Sequence, residues 1–254
     1  MGNSILCRFP AAKTPWYLEP VGVHIYTIEE LCYVICHDFA LMDEKVLDED
    51  LADWLGEELG LTGLAARLRN MKDTVTPDEY AMQILRTVHY LDFQEMQSMG
   101  AKLRSVFEMP SFRRFKAQGD VLFSHGRYFQ SIQMYRSALD VEDETKDDNF
   151  CGSIYYNLGC VYARLFQMEE AVNCFEKANS ILHSGGSLKS VLYAIWMKDG
   201  HDAFVKRADE LGVDPATRAE MIREMESVSP DPSPVDLDRS LERWIAEYHK
   251  NAGM

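Results

Sequence analysis

Apolar residues recur at spacings of three and four along most of this chain, and helix-start signals introduce the runs. Thr27-Ile28-Glu29-Glu30 and Asp92-Phe93-Gln94-Glu95 read as capping boxes. In each, the first side chain and the fourth satisfy orphan N–H groups of the opening turn. Thr76-Pro77-Asp78-Glu79 places proline at a first helical position, where its missing N–H costs nothing. Val46, Leu47, Leu51, Trp54, Leu55 and Leu59 predict an amphipathic helix near 48–59, with an acidic outer face, and Gly60 separates it from another near 61–71. Four or five helices are expected before Pro110. Residues 1–26 do not fit: Pro10, Pro15 and Pro20 interrupt them, and Val21 to Tyr26 alternates like a short strand or extended arm.

Towards the other end, Ser184-Gly185-Gly186 turns into a helix near 187–198 with Ser187 as its cap, and Asp199-Gly200 into one near 201–211. Asp214-Pro215 opens a helix to about Val228. Ser229-Pro230-Asp231-Pro232-Ser233-Pro234 must be extended, because proline at every second position forbids helix. A last helix is expected near 235–250, with Leu237, Leu241, Trp244, Ile245 and Tyr248 on one face. It reads as a cap over the preceding helices or as a tethered segment that docks on a partner.

A doubled motif occupies the middle. The first copy reads Phe115-x3-Gly119-x2-Leu122-x3-Gly126-x-Tyr128-x2-Ser131-x3-Tyr135-x2-Ala138. The second reads Tyr155-x3-Gly159-x2-Tyr162-x8-Ala171-x3-Phe175-x2-Ala178. Small residues alternate with large ones, as needed where two helices of a hairpin interlock. The pattern resembles the tetratricopeptide repeat, whose helix A carries an aromatic, then glycine, and whose helix B carries alanine, an aromatic and alanine. Gln118 and Ser131 stand where Leu and Ala are commoner. The two glycines lie 40 residues apart, against a family period of about 34. The charged stretch Val141 to Asp148 holds the extra length. Helices 187–198 and 201–211 read as a third, degenerate repeat, as terminal repeats often do.

The resemblance implies a scaffold that binds a protein or peptide in its concave groove, on helix A positions that include Arg113, Lys116, Asp120, Tyr156, Asn157 and Arg164. Lys116 and Asn157 fall where repeats that hold chaperone C-terminal carboxylates place a lysine and an asparagine. Asp120 departs from that pattern, since asparagine is usual there and an acid repels a carboxylate. Lys116, Asn157 and Arg164 are the expected polar contacts and Tyr156 the expected packing surface, for an acidic or C-terminal peptide.

Composition narrows the function classes. The 254 residues carry a net charge of −15, which argues against nucleic acid or anionic lipid as the main partner. At 46% hydrophobic, the chain has the composition of a folded protein. No run approaches the roughly 18 apolar residues of a membrane span. Met1-Gly2-Asn3-Ser4-Ile5-Leu6 lacks a leader's apolar run, and Leu6 stands where a myristoylation motif needs Ser or Thr. The six scattered cysteines (Cys7, Cys32, Cys36, Cys151, Cys160 and Cys174) suit reduced thiols and a cytoplasmic setting. Cys32-x3-Cys36-His37, with His24 upstream, contains soft metal ligands, yet Cys36 and His37 diverge by about 100° on a helix and no second pair exists. The acidic run 43–58 lacks the alternating ligands and glycine of a calcium loop. Gly185 to Ser190 lacks the spacing of a phosphate loop, and residues 27–109 are too acidic for a DNA-reading helix pair.

The chain is therefore expected to be all-α: an arm (1–26), an N-terminal helical domain (27–109), a helical-hairpin array (110–213) and C-terminal helices with a Pro-rich linker (214–254; linker 229–234). The expected role is an interaction adaptor or co-chaperone-like scaffold without cofactor, metal or catalytic site. The alternatives are an enzyme or metal protein using His24, Cys32 or Cys36, and a self-assembling subunit whose last helix reaches a neighbour's groove.

Overall fold

The computed structural model describes residues 9–42, 46–71 and 74–227, with 241 and 245. The linker expected at 229–234, most of the helix expected at 235–250, and Cys7 lie outside the described residues. Two compact units are present, Met1–Gly200 and His201–Met254. Among the described residues there are twelve α-helices and one small sheet.

The first unit opens with a two-stranded hairpin in the segment expected to be a short strand or extended arm. Strands β1 (Trp16–Leu18) and β2 (Val23–Ile25) pair antiparallel, with Trp16 opposite Ile25 and Leu18 opposite Val23. Gly22 supplies the positive φ of the turn, +66°. Leu18, Val21 and Ile25 are buried, so the proline-broken segment contributes one apolar face to the core. Helix α1 (Ile28–His37) follows its Thr27 box as expected, and a 3-10 turn covers Phe39–Leu41. Asp48 caps α2 (Glu49–Glu57), and α3 is Thr62–Met71. Helix α4 (Pro77–Val88) starts with Pro77 in its first turn, although Thr76 makes no side-chain capping bond. Helix α5 (Phe93–Phe107) carries the Asp92 box. Long-range donors tie these pieces together: Trp54 Nε1 donates to the Thr14 carbonyl at 2.8 Å, and the Tyr80 hydroxyl to the Asp48 carbonyl at 2.9 Å.

Two hairpins and a further helix complete the unit. They are α6 (Ser111–Ser124) with α7 (Tyr128–Asp140), α8 (Asp148–Arg164) with α9 (Met168–Leu182), and α10 (Gly185–Asp199), packed on α9. The motif glycines explain the packing. A Cβ on Gly119 would lie 2.7 Å from the Tyr135 ring, and one on Gly159 would lie 2.6 Å from the Phe175 ring. Each helix pair therefore closes on an aromatic ring laid against bare backbone. Ser131, where the family prefers alanine, is fully buried and donates to the Gly119 carbonyl at 2.8 Å, so its hydroxyl has a partner. The extra length of the first repeat forms the loop 141–147, and Asp147 caps α8. Helix α10 begins two residues before the expected 187: Ser184 is its cap, and Ser187 is the buried third member of the box.

One apolar core runs from Ala12 to Leu122, so the N-terminal helices and the first repeat share it. Arg127, at the turn between α6 and α7, donates through Nε to the Val21 carbonyl at 2.7 Å and lies against Gly22, where a Cβ would overlap its guanidinium. His125 Nε2 sits 2.9 Å from buried Asp38 Oδ2. In the second unit, α11 (His201–Glu210) and α12 (Pro215–Ser227) are joined through Gly212 at φ +68°, and bury Phe204, Ala208 and Met221. Backbone N–H groups of Thr217 and Ala216 hold the Asp214 carboxyl below its usual range. The division at Gly200 falls between the two helices expected to form a third repeat. Among the described residues, no helix is long and apolar enough to cross a membrane.

The glycine–aromatic contacts make a direct prediction. Gly159→Ala gains helix propensity of up to about 1 kcal/mol but overpacks the Phe175 ring, a cost of about 1–3 kcal/mol. Urea denaturation should show a net loss, and Phe175→Leu in the same chain should recover part of it. A Gly159→Ala chain as stable as wild type would remove this account of the packing.

Candidate functional site: the A-helix face

Helices α6 and α8 are the first helices of the two hairpins, α10 follows them in the chain, and polar side chains link α6 to α8 and α8 to α10. The central group is Asp120. Lys116, one turn earlier on α6, approaches its Oδ2 at 2.8 Å; the Tyr135 hydroxyl donates to Oδ1 at 2.7 Å, and Asn157 of α8 donates to the same oxygen at 2.9 Å. Asn157 Nδ2 also lies 3.4 Å from the Tyr135 oxygen. Burial first, and the Asp120 carboxylate second, push the Tyr135 phenol far above its ordinary range, which keeps it a donor. The next link is on α8: Ser190 of α10 donates to the Tyr156 hydroxyl at 3.3 Å, and the Tyr156 ring lies 5.5 Å from that of Phe175.

The expected site residues thus separate into two groups. Lys116, Asp120, Asn157 and Tyr156 are brought together along the face, with Asp120 already compensated by three donors. Arg113 lies towards the start of α6, its guanidinium 5.4 Å and 5.5 Å from the Phe112 and Phe150 ring centres. Arg164 stands at the opposite end, as the last residue of α8. It is exposed and has no ion pair among the described residues. Tyr135, the fourth member of the polar seam, was invisible as a site residue because the repeat pattern accounts for it as a packing aromatic.

Beside Arg164 lies a cavity of about 470 Å³, lined by Phe123, Cys160, Ala163, Phe166, Met168 and Met197 among others, with Arg164 the one charged lining residue. Phe166 occupies the turn between α8 and α9 at φ +57°, with 78% of its surface exposed. The turn has Schellman geometry: Gln167 N–H reaches the Tyr162 carbonyl at 2.9 Å, as Arg127 N–H reaches that of Leu122 at 2.8 Å in the first repeat. There the left-handed residue is Gly126, at φ +71°. A side chain in this conformation costs about 1–2 kcal/mol. The sequence contained a signal: Phe166 follows Gly159 at the offset by which Gly126 follows Gly119.

The metal and nucleophile candidates are dispersed. Cys32 is buried, and its thiol is held far above its ordinary range by desolvation. Burial, with Glu95 nearby, pushes Cys36 up to about 11. His37 turns to stack on Tyr33 at 3.9 Å and donates Nδ1–H to the Tyr33 carbonyl at 2.7 Å, while exposed His24 lies beside Tyr17 on the hairpin. Among the described residues, no three His, Cys, Asp or Glu side chains are placed to hold a metal ion.

Three outcomes follow. Asp120→Asn keeps the shape but weakens hydrogen bonds to a charged acceptor, and should cost about 1–3 kcal/mol in urea denaturation. Lys116→Met removes a half-exposed ion pair and should cost under about 1 kcal/mol. At high pH, Cys36 (raised from 9.0 to about 11) and Tyr90 (raised by burial from 10.0 to about 12) favour the fold in their neutral forms. Their contribution is complete below about pH 9 and is lost as pH climbs through the raised values. Melting temperature should fall over that range, less steeply in a Cys36→Ala/Tyr90→Phe chain.

Comparison with known proteins agrees with the geometry. The family model of the tetratricopeptide repeat matches residues 115–182, the span of the two hairpins from α6 to α9. No curated protein and no solved structure matches the chain. Repeats of this kind generally bind protein partners. The matched segment, its paired glycine–aromatic contacts and its helical hairpins make this chain a tetratricopeptide-repeat-containing protein.

Proposed function

We propose that this protein is an interaction adaptor which holds a segment of a partner protein in the groove along α6, α8 and α10. The observation that carries this reading is the alignment of accessible polar groups along α6 and α8, from Lys116 and Asp120 through Asn157 and Tyr156 to Arg164, with Ser190 of α10 hydrogen-bonded to Tyr156. Asp120 uses one of the three Lys116 donors and leaves others for a partner's carbonyl groups. It also opposes a carboxylate at that end, so acidic groups of the partner belong near Arg164. Tyr156 offers an aromatic surface between the two ends. The reduced state of the described cysteines, all of them free, suits action in the cytoplasm.

The test is affinity capture from native extract, followed by affinity measurement with the purified partner. A Lys116→Glu/Arg164→Glu chain of unchanged melting temperature should bind the captured partner at least about tenfold more weakly, as expected when central contacts are reversed in charge. Equal affinity of the two chains would place the interface elsewhere.

A further inference from the structure

The turn positions of the two repeats differ in a way that packing does not require. Both need a left-handed residue; the first uses Gly126, the second uses Phe166. A Cβ added at Gly126 would meet nothing within 4 Å, so space does not demand glycine there, and Phe166 is mostly exposed, so its ring is not there to fill the core. It instead forms part of the apolar cavity, with Phe123 of α6 and the half-exposed Met197 of α10. An unfavourable backbone conformation carrying an exposed aromatic is a feature expected of a ligand contact. Covering this cavity would also draw Arg164 out of water. A guanidinium loses its hydration only at high cost unless an anion replaces it, and among the described residues none is paired with it.

The geometry points to a second, specificity-determining subsite at the α8–α9 turn: the cavity bounded by Phe123, Phe166 and Met197 takes one bulky apolar side chain of a partner peptide, and Arg164 pairs with a carboxylate next to it. This rests on the groove reading above and adds to it the chemistry of the occupant: an apolar–acidic peptide. Lys116 and Asn157 do not take part, since they lie on the Asp120 seam. A neutral or basic peptide with the same apolar residue leaves Arg164 buried and unpaired, and is rejected.

The experiment uses a random-peptide phage library panned on the full chain, followed by fluorescence polarisation with the enriched peptides. Enriched peptides should share a bulky apolar residue beside Asp, Glu or the C-terminal carboxylate. Phe166→Gly should weaken them about tenfold while the melting temperature stays level or rises, because glycine suits the backbone there. Met197→Glu should weaken them similarly, and Arg164→Gln should erase the preference for the acid-containing peptide over its amide counterpart. Peptides that bind Phe166→Gly and Met197→Glu as tightly as wild type overturn the subsite. If those peptides are still lost on Tyr156→Ala or Lys116→Glu, the groove reading stands without it. Enrichment of no binding peptide overturns both.

Discussion

The repeats depend on one steric arrangement: an aromatic ring of the second helix laid on a glycine of the first. Tyr135 meets Gly119 and Phe175 meets Gly159, and in both pairs a single added carbon would fall inside van der Waals contact. This lets two helices approach closely along their middles and places the outer edge of the first helix beside that of the next hairpin. The same backbone proximity lets Ser131 reach the Gly119 carbonyl. Gly152, against Ile181 and Leu182, extends the close approach to the other end of the second pair. Interiors are packed densely enough that such contacts set the positions of whole helices.

From that spacing follows the polar seam. Tyr135 is buried in the first hairpin, yet its hydroxyl emerges at Asp120, where Asn157 arrives from the second. A packing residue therefore also donates a hydrogen bond to the Asp120 carboxylate, whose charge Lys116 balances. The compensation changes the electrostatic reading of the groove. Lysine and asparagine, which by motif alone would serve a partner's carboxylate, are engaged with the chain's own. Arg164, at the far end and among apolar neighbours, makes no ion pair among the described residues.

The N-terminal helices are joined to the repeats by burial as well as by polar contacts. Leu122 of the first repeat lies in the same core as Ala12, Leu18 and Ile25 of the hairpin. Arg127 and His125, on the turn of that repeat, reach the hairpin and the end of α1. The first repeat thus has a covered side supplied by the chain itself, which is what a terminal repeat requires to keep apolar surface from water.

Local rules were enough to read the helices from sequence. The Thr27 and Asp92 boxes, Pro77 in a first turn and the glycine–aromatic spacing each act within one turn or one hairpin, where propensity and periodicity decide. The same spacing identified the repeat. The strand pairing of Trp16–Leu18 with Val23–Ile25 was hidden by the prolines, because the ladder uses only three residues on each side and is stabilised by a core assembled from distant helices. Ser187 could not be distinguished from Ser184 as a cap, since both fit the local pattern and only packing buries one of them. The motif named candidate residues but not their relationships: Asp120 meets Asn157 across 37 residues, and Phe123, Phe166 and Met197 line one cavity. By itself the sequence determined the elements and the repeat, since both arise from contacts near in the chain. Tertiary structure alone decided which charges are neutralised and which apolar side chains are left open, since those depend on the placement of one hairpin against the next.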